Sequence, residues 1–137
     1  MRLYTIEESL NEAEARLRLD IMPEWYKKEI YDFNKKMNSI QIEHDGRDIA
    51  FAIMDEYQVV KCLELANVID MVVLITDITK KAIDGKLEQY ILDDEYIMEK
   101  IINRFILENV DKDTIFDKIN EFGIESLTKI DYVLLNS

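Results

Sequence analysis

Residues 59–83 read VVKCLELANVIDMVVLITDITKKAI, and whether this run is one helix or a mixture of helix and strand decides the fold. Read as a helix, it places Asp70, Asp77 and Asp84 seven residues apart, near one line, with apolar side chains over most of the remaining surface. Against that stands the β-branched content of Val68, Ile69, Val72, Val73, Ile75, Thr76, Ile78 and Thr79, which favours a strand unless packing overrides it. The recurrence of aspartate tips the reading towards a central helix with a thin polar stripe, stopped at Asp84 and Gly85.

Working towards the N-terminus, residues Ile40 to Tyr57 carry two patterns. Ile40 and Ile42, then Asp45-Gly46, then Ile49, Phe51 and Ile53 alternating with Ala50 and Ala52, would make a short β-hairpin around a tight turn. Ile49, Ala52, Ile53, Tyr57 and Val60 also share one face of a helix that starts after Gly46, and this reading is favoured because its phase continues to Leu63. Further back, Pro23 suits the first turn of a helix whose inner face is Tyr26, Ile30, Phe33 and Met37, with Trp25 and Tyr31 on its flanks. Thr5 and Glu8 match a capping box, from which an amphipathic helix should run from Ile6 to Leu19.

Towards the C-terminus, Leu87 to Leu92 is expected to form a short helical turn. Asp93, Asp94 and Glu95 read as the acidic start of a helix with Ile97, Ile101 and Phe105 on its apolar side. Asp111 and Asp113 do not continue into a calcium loop, because Phe116 stands where its glycine belongs and Phe122 where its bidentate acid belongs. In the tail, Ile115, Ile119 and Phe122 face inward, Gly123 ends the helix, Ser126 or Thr128 caps the next one, and Leu127, Val133, Leu134 and Leu135 pack back. Residues 115–128, IFDKINEFGIESLT, followed by Leu134, resemble a short helix-turn-helix tail found on assorted bacterial proteins, including rhomboid-like membrane proteins. The family pattern has two acids after the threonine where Lys129, Ile130 and Asp131 stand here. The resemblance implies a small packing element and a bacterial origin, and brings no activity with it.

Composition narrows the function. The chain of 137 residues holds 48% apolar and 34% charged residues with three glycines and one proline, which suits one folded, helix-rich domain. Its net charge of −12 is uneven: eight acids and seven bases up to Asn38 give −1, and 21 acids and 10 bases from Ser39 onward give −11. Basic residues cluster only as the pairs Lys27-Lys28, Lys35-Lys36 and Lys80-Lys81, so nucleic acid is not an expected partner. The longest uncharged apolar stretch, Met71 to Thr76, falls far short of the ~20 residues a membrane helix needs, and Met1 to Leu10 shows no signal-peptide core, so a cytoplasmic location is expected. His44 is the lone histidine and Cys62 the lone cysteine, which leaves no paired zinc ligands and no nucleophile-histidine arrangement signalled. Cys62 reads as a buried thiol with only Lys61 nearby to activate it. The three glycines are isolated, so no phosphate-cradling loop is present. A magnesium or manganese site on Asp70, Asp77 and Asp84 is disfavoured by the helix reading itself, since seven residues rise about 10 Å.

The expected fold class is mainly α: a compact bundle of six or seven helices, with one short β-hairpin around Asp45-Gly46 as the alternative for that segment. A single helical domain spans 1–137, with 112–137 as a C-terminal helix-turn-helix packing element. The expected role is non-enzymatic, without cofactor: a protein-protein interaction domain, self-associating as a homodimer in one version. The alternative is an acidic inhibitor or immunity-type protein that binds a basic enzyme. The candidate partner surface is Trp25, Tyr26, Tyr31, Asp84, Glu88, Asp93, Asp94, Glu95 and Glu99.

Overall fold

The computed structural model describes residues 1–44, 47–87 and 98–137. Four strands, β1 (Arg2–Glu8), β2 (Asn38–His44), β3 (Arg47–Met54) and β4 (Val73–Asp77), form one antiparallel sheet in the order β2-β3-β1-β4. The described helices are α1 (Glu12–Asp20), α2 (Glu24–Lys36), α3 (Glu56–Val68), α4 (Thr79–Ile83), α5 (Arg104–Asn109), α6 (Lys112–Phe122) and α7 (Lys129–Leu135). A π-helical stretch, Met98–Asn103, leads into α5, and a 3-10 turn, Ile124–Ser126, precedes α7. The architecture is mixed α/β, which corrects the expected all-helical bundle.

The central run accounts for much of that correction. Its first part is α3, but Asp70 takes φ 54, a left-handed conformation that no helix continues through, and the chain re-emerges as β4. Asp70 therefore sits in a turn, Asp77 ends β4 and Asp84 is the C-cap of α4. Each aspartate closes an element, so their even spacing reflects three element ends and not a helical stripe. The β-branched preference prevails because Val73 and Ile75 pack under α3 while the backbone pairs with β1.

Residues 38–54 form a hairpin, paired from Asn38 opposite Ile53 to His44 opposite Arg47, and the helix favoured for this segment does not exist. The turn residues Asp45 and Gly46 lie outside the described residues. The helical phase begins only at α3, where Asp55 and Gln58 form a reciprocal capping box. At the N-terminus the expected helix is also replaced by a strand. Arg2–Glu8 alternates, with Leu3 and Thr5 on one face and Tyr4 and Ile6 on the other, and it takes a central place between β3 and β4. Thr5 is buried within it, so it caps nothing; Asn11 caps α1 instead, accepting from the Glu14 N–H at 2.8 Å.

Helices cover both faces of the sheet. Leu3, Ile49, Phe51 and Ile53 face a core completed by Ile78, Leu87, Ile101, Ile102, Phe105, Ile106, Ile115 and Leu134 from the C-terminal helices. Ile6, Ala52 and Met54 face α3 through Val59 and Cys62, and a separate cluster of Tyr26, Leu65 and Ile69 holds α2 on α3 with Ile30 and Phe33. The small side chains Ala50 and Ala52 let α3 approach this face closely. Thr79, the first residue of α4, fastens the start of β1, its hydroxyl accepting from the Leu3 N–H at 2.9 Å.

Candidate functional site

The corner between α1 and α2 exposes apolar surface that the fold does not use. α1 has no buried residue, and Leu17, Ile21 and Trp25 are 69%, 83% and 62% exposed. Leu17 and Ile21 are one helical turn apart, and Trp25 follows in the first turn of α2. Pro23 is the N-cap of α2, one position earlier than expected, and its carbonyl receives the N–H groups of Tyr26 and Lys27.

This corner is held by polar hooks onto the end of α3. Ala66 C=O receives both Ile69 and Met71 N–H groups, so Leu65 C=O is left without the usual partner four residues on. The Tyr26 hydroxyl donates to that carbonyl. From α1, the Arg18 guanidinium donates to Ile69 C=O at 2.9 Å and Asp70 C=O at 3.0 Å. Arg18 thus places a cation at the negative end of α3 and, together with Leu19 and Met22 packed on the Tyr26–Leu65–Ile69 cluster, anchors a helix that has no fully buried residue. Trp25 stands edge-on to the Tyr26 ring, centroids 5.9 Å apart at 87°, and so is braced from one side only.

A second feature lies on the other layer. A cleft of about 330 Å³ is lined by Arg2, Thr79, Lys80, Asp84, Asp117, Lys118 and Glu121 among others. Its cations are each matched. Arg2 bonds Asp77, Lys80 reaches Asp84 at 2.7 Å and Glu121 at 3.4 Å, and Lys118 reaches Asp131 at 2.7 Å with both side chains 1% exposed. Burial pushes the Asp77 carboxyl up, but hydrogen bonds from Arg2 and Thr79 outweigh it and hold the group below the usual range. The hydrogen bond to Asp84 holds the Lys80 ammonium above its ordinary value. Asp131 Oδ2 also accepts from the Thr128 N–H, completing the cap of α7. These pairs tie α4, α6 and α7 together, and they occupy the three cations of the cleft with carboxylates.

The candidate residues separate on this fold. Trp25 and Tyr31 are exposed on α2, whereas Tyr26 is fully buried and acts as a support. Asp84 belongs to the opposite layer and is occupied by Lys80; Glu99 is exposed in the π-helical stretch. Glu88, Asp93, Asp94 and Glu95, and the turn and helix start proposed there, lie outside the described residues. Among the described residues no group of three or more metal-ligating side chains converges. Cys62 is half-buried, and burial together with the charge of Glu8 pushes its thiol up to about 11, so almost no thiolate forms near neutral pH. No described helix is long and apolar enough to cross a membrane.

Sequence reasoning missed the Arg18 hook and the Lys118–Asp131 pair. Thr128 with Asp131 three residues on is a readable capping pattern, but nothing along the chain marked Lys118 as its buried partner. In the tail, Gly123 takes φ 86 after α6, Thr128 caps α7, and Leu134 is buried while Val133 is exposed. No protein-family model, curated protein or solved structure matches the chain, so the resemblance of its tail stands on the residues that carry it.

Proposed function

We propose that this protein is a non-enzymatic interaction domain that binds another protein through the α1–α2 corner. The carrying observation is α1 itself: a helix ordered by Arg18 and by its Asn11 cap, with no buried side chain, that presents Leu17 and Ile21 beside Trp25. Ordering nine residues has an entropic cost that so little burial does not offset, and a partner that covers this surface would supply the missing term. Tryptophan braced by a buried tyrosine is also the kind of rigid aromatic anchor around which binding energy concentrates.

The test is site-specific photo-crosslinking in the source cells, with the photoreactive side chain placed at Leu17, Ile21 or Trp25 and, as controls, at Glu125 or Lys129 on the other layer. A discrete adduct from the corner positions alone, lost on introducing Leu17→Glu, is the expected result. Equal labelling from corner and control positions overturns the reading. Running the same capture at low and high salt identifies the chemistry of the partner: an apolar contact survives salt, whereas docking of the −12 chain on a basic protein weakens steeply.

A further inference from the structure

The sheet has an edge that its sequence leaves unguarded. β4 pairs with β1 on one side, and the ladder fixes which backbone groups that uses: Ser9 N–H bonds Val72 C=O at 2.8 Å and Ile78 N–H bonds Leu3 C=O at 2.9 Å. With Glu7 opposite Leu74 and Thr5 opposite Thr76, the inward groups of β4 are those of Val72, Leu74, Thr76 and Ile78. Val73, Ile75 and Asp77 therefore point their N–H and C=O groups outward, and among the described residues the outward groups of Val73 and Ile75 meet no hydrogen-bond partner.

Edge strands are ordinarily blunted by lysine, proline, a bulge or an inward charge. Val73, Leu74, Ile75 and Thr76 contain none of these. The one charge on the strand, Asp77, is already neutralised by Arg2. Val73 and Ile75 pack inward beneath α3, while Val72 and Leu74, which point to the other face, are 72% and 58% exposed. The opposite edge, β2, differs: its apolar Ile40 and Ile42 are packed on the C-terminal core, and Ser39, Gln41 and Glu43 are its exposed side chains.

We infer that β4 pairs with β4 of a second copy, antiparallel about Ile75, to make one continuous sheet across a two-fold axis. The row of donors and acceptors at Val73 and Ile75, unmet among the described residues, is complementary to an extended strand, and β4 of a second copy presents one with the same spacing at the same positions. In that register Ile75 exchanges hydrogen bonds with its symmetry mate, Val73 and Asp77 do the same at both ends, and each exposed Leu74 lies opposite the second copy's Thr76. Each Asp77 keeps its Arg2, so no bare carboxylate is brought into the seam. The remaining opposition is long-range repulsion between two chains of net charge −12, which salt screens. The dimer is accordingly tighter at high salt, the reverse of what docking on a basic partner gives. This seam is separate from the α1–α2 corner, so either can fail without the other.

Light scattering after size exclusion, over a range of concentrations at low and high salt, reads the mass against the 16.3 kDa chain. The expected result is a doubled mass favoured by concentration and salt. Leu74→Lys places a charge on the exposed side of the seam and weakens the dimer about tenfold or more with its far-UV spectrum unchanged, whereas Leu107→Lys, an exposed position on α5, leaves it intact. Hydrogen exchange at the Val73 and Ile75 amides supplies an independent reading: protection rises with concentration in step with dimer formation. A monomer under all conditions, a dimer indifferent to Leu74→Lys, or amides already protected in the monomer, as they would be if another part of the same chain covered them, each overturns the inference.

Discussion

The two faces of the sheet are built differently. Among the described residues, fourteen buried apolar residues form one cluster on the C-terminal face, whereas on the other face two clusters of three each hold α3 on the sheet and α2 on α3. Burial of apolar area is the main favourable term in folding, so the first face carries most of the stability. Exposed apolar side chains occur on both sides, Leu17, Trp25, Tyr57, Val60 and Leu63 on helices of the second face and Leu107, Phe116, Tyr132 and Val133 on those of the first. Polar hooks from Tyr26 and Arg18 do there what apolar packing does on the other side.

The sharpest way to break this contrast is to cut into the larger core. Phe105 is 1% exposed at the centre of the fourteen-residue cluster, and Phe105→Ala is expected to cost about 3–5 kcal/mol in urea unfolding. Leu65→Ala, in a three-residue cluster beside partly exposed neighbours that can relax, is expected at the low end of the Leu→Ala range, about 2 kcal/mol. Equal losses would show that the two faces are packed alike.

Next in size is the ion pair within the C-terminal layer. Asp131→Ala strips Lys118 of its counter-charge where both are inaccessible, and removes the reciprocal half of the α7 capping box as well, for an expected loss of about 3 kcal/mol. Replacing both partners, Lys118→Met with Asp131→Asn, removes the buried charge while an amide oxygen still accepts from Thr128 N–H. The double variant should therefore be more stable than Asp131→Ala alone. The buried, unpartnered Asp131 Oδ1 strengthens that expectation, because the native arrangement is itself incompletely satisfied.

The same asymmetry explains what was legible along the chain. Elements that satisfy themselves locally could be read: the inner face of α2, the stop at Asp84 and Gly85, the cap at Thr128 and the positive φ of Gly123 each depend on residues close in sequence. The β2–β3 hairpin was legible as an alternative from its local alternation, but the other pairings of the sheet were not, because they join Arg2 to Met54 and Tyr4 to Asp77, and no local pattern announces them. Arg2–Glu8 and Val73–Asp77 are short strands packed by elements far away, and in such segments helical and strand periodicities fit nearly equally well. The aspartates at 70, 77 and 84 then supplied a regularity that belonged to element ends.

A smaller effect tests the hooks. Tyr26→Phe keeps the ring in place but leaves Leu65 C=O, which α3 itself does not satisfy, without its donor. The expected loss is about 1 kcal/mol. It should appear chiefly as faster local opening, with hydrogen exchange at the last amides of α3 and across α2 accelerating while the amides of α5 and α6 keep their protection. Uniform acceleration through the molecule would mean that the two layers unfold as one unit and that the division between them has no energetic content.

The smallest expected effect is the most informative about function. Ile21 is 83% exposed as the C-cap of α1, and the bond to Leu19 C=O that closes the helix comes from the backbone N–H of Met22, so the Ile21 side chain takes no part in it. Ile21→Lys should thus change stability by no more than about 0.5 kcal/mol, the range of ordinary surface substitutions, and adds a cation where the helix dipole favours one. A loss well above that, measured in the isolated protein, would show that Ile21 packs within the fold and that the corner is ordinary core. If stability is unchanged while crosslinking from Trp25 disappears, the apolar corner is retained for contact with another molecule, because the fold has then been shown not to need it.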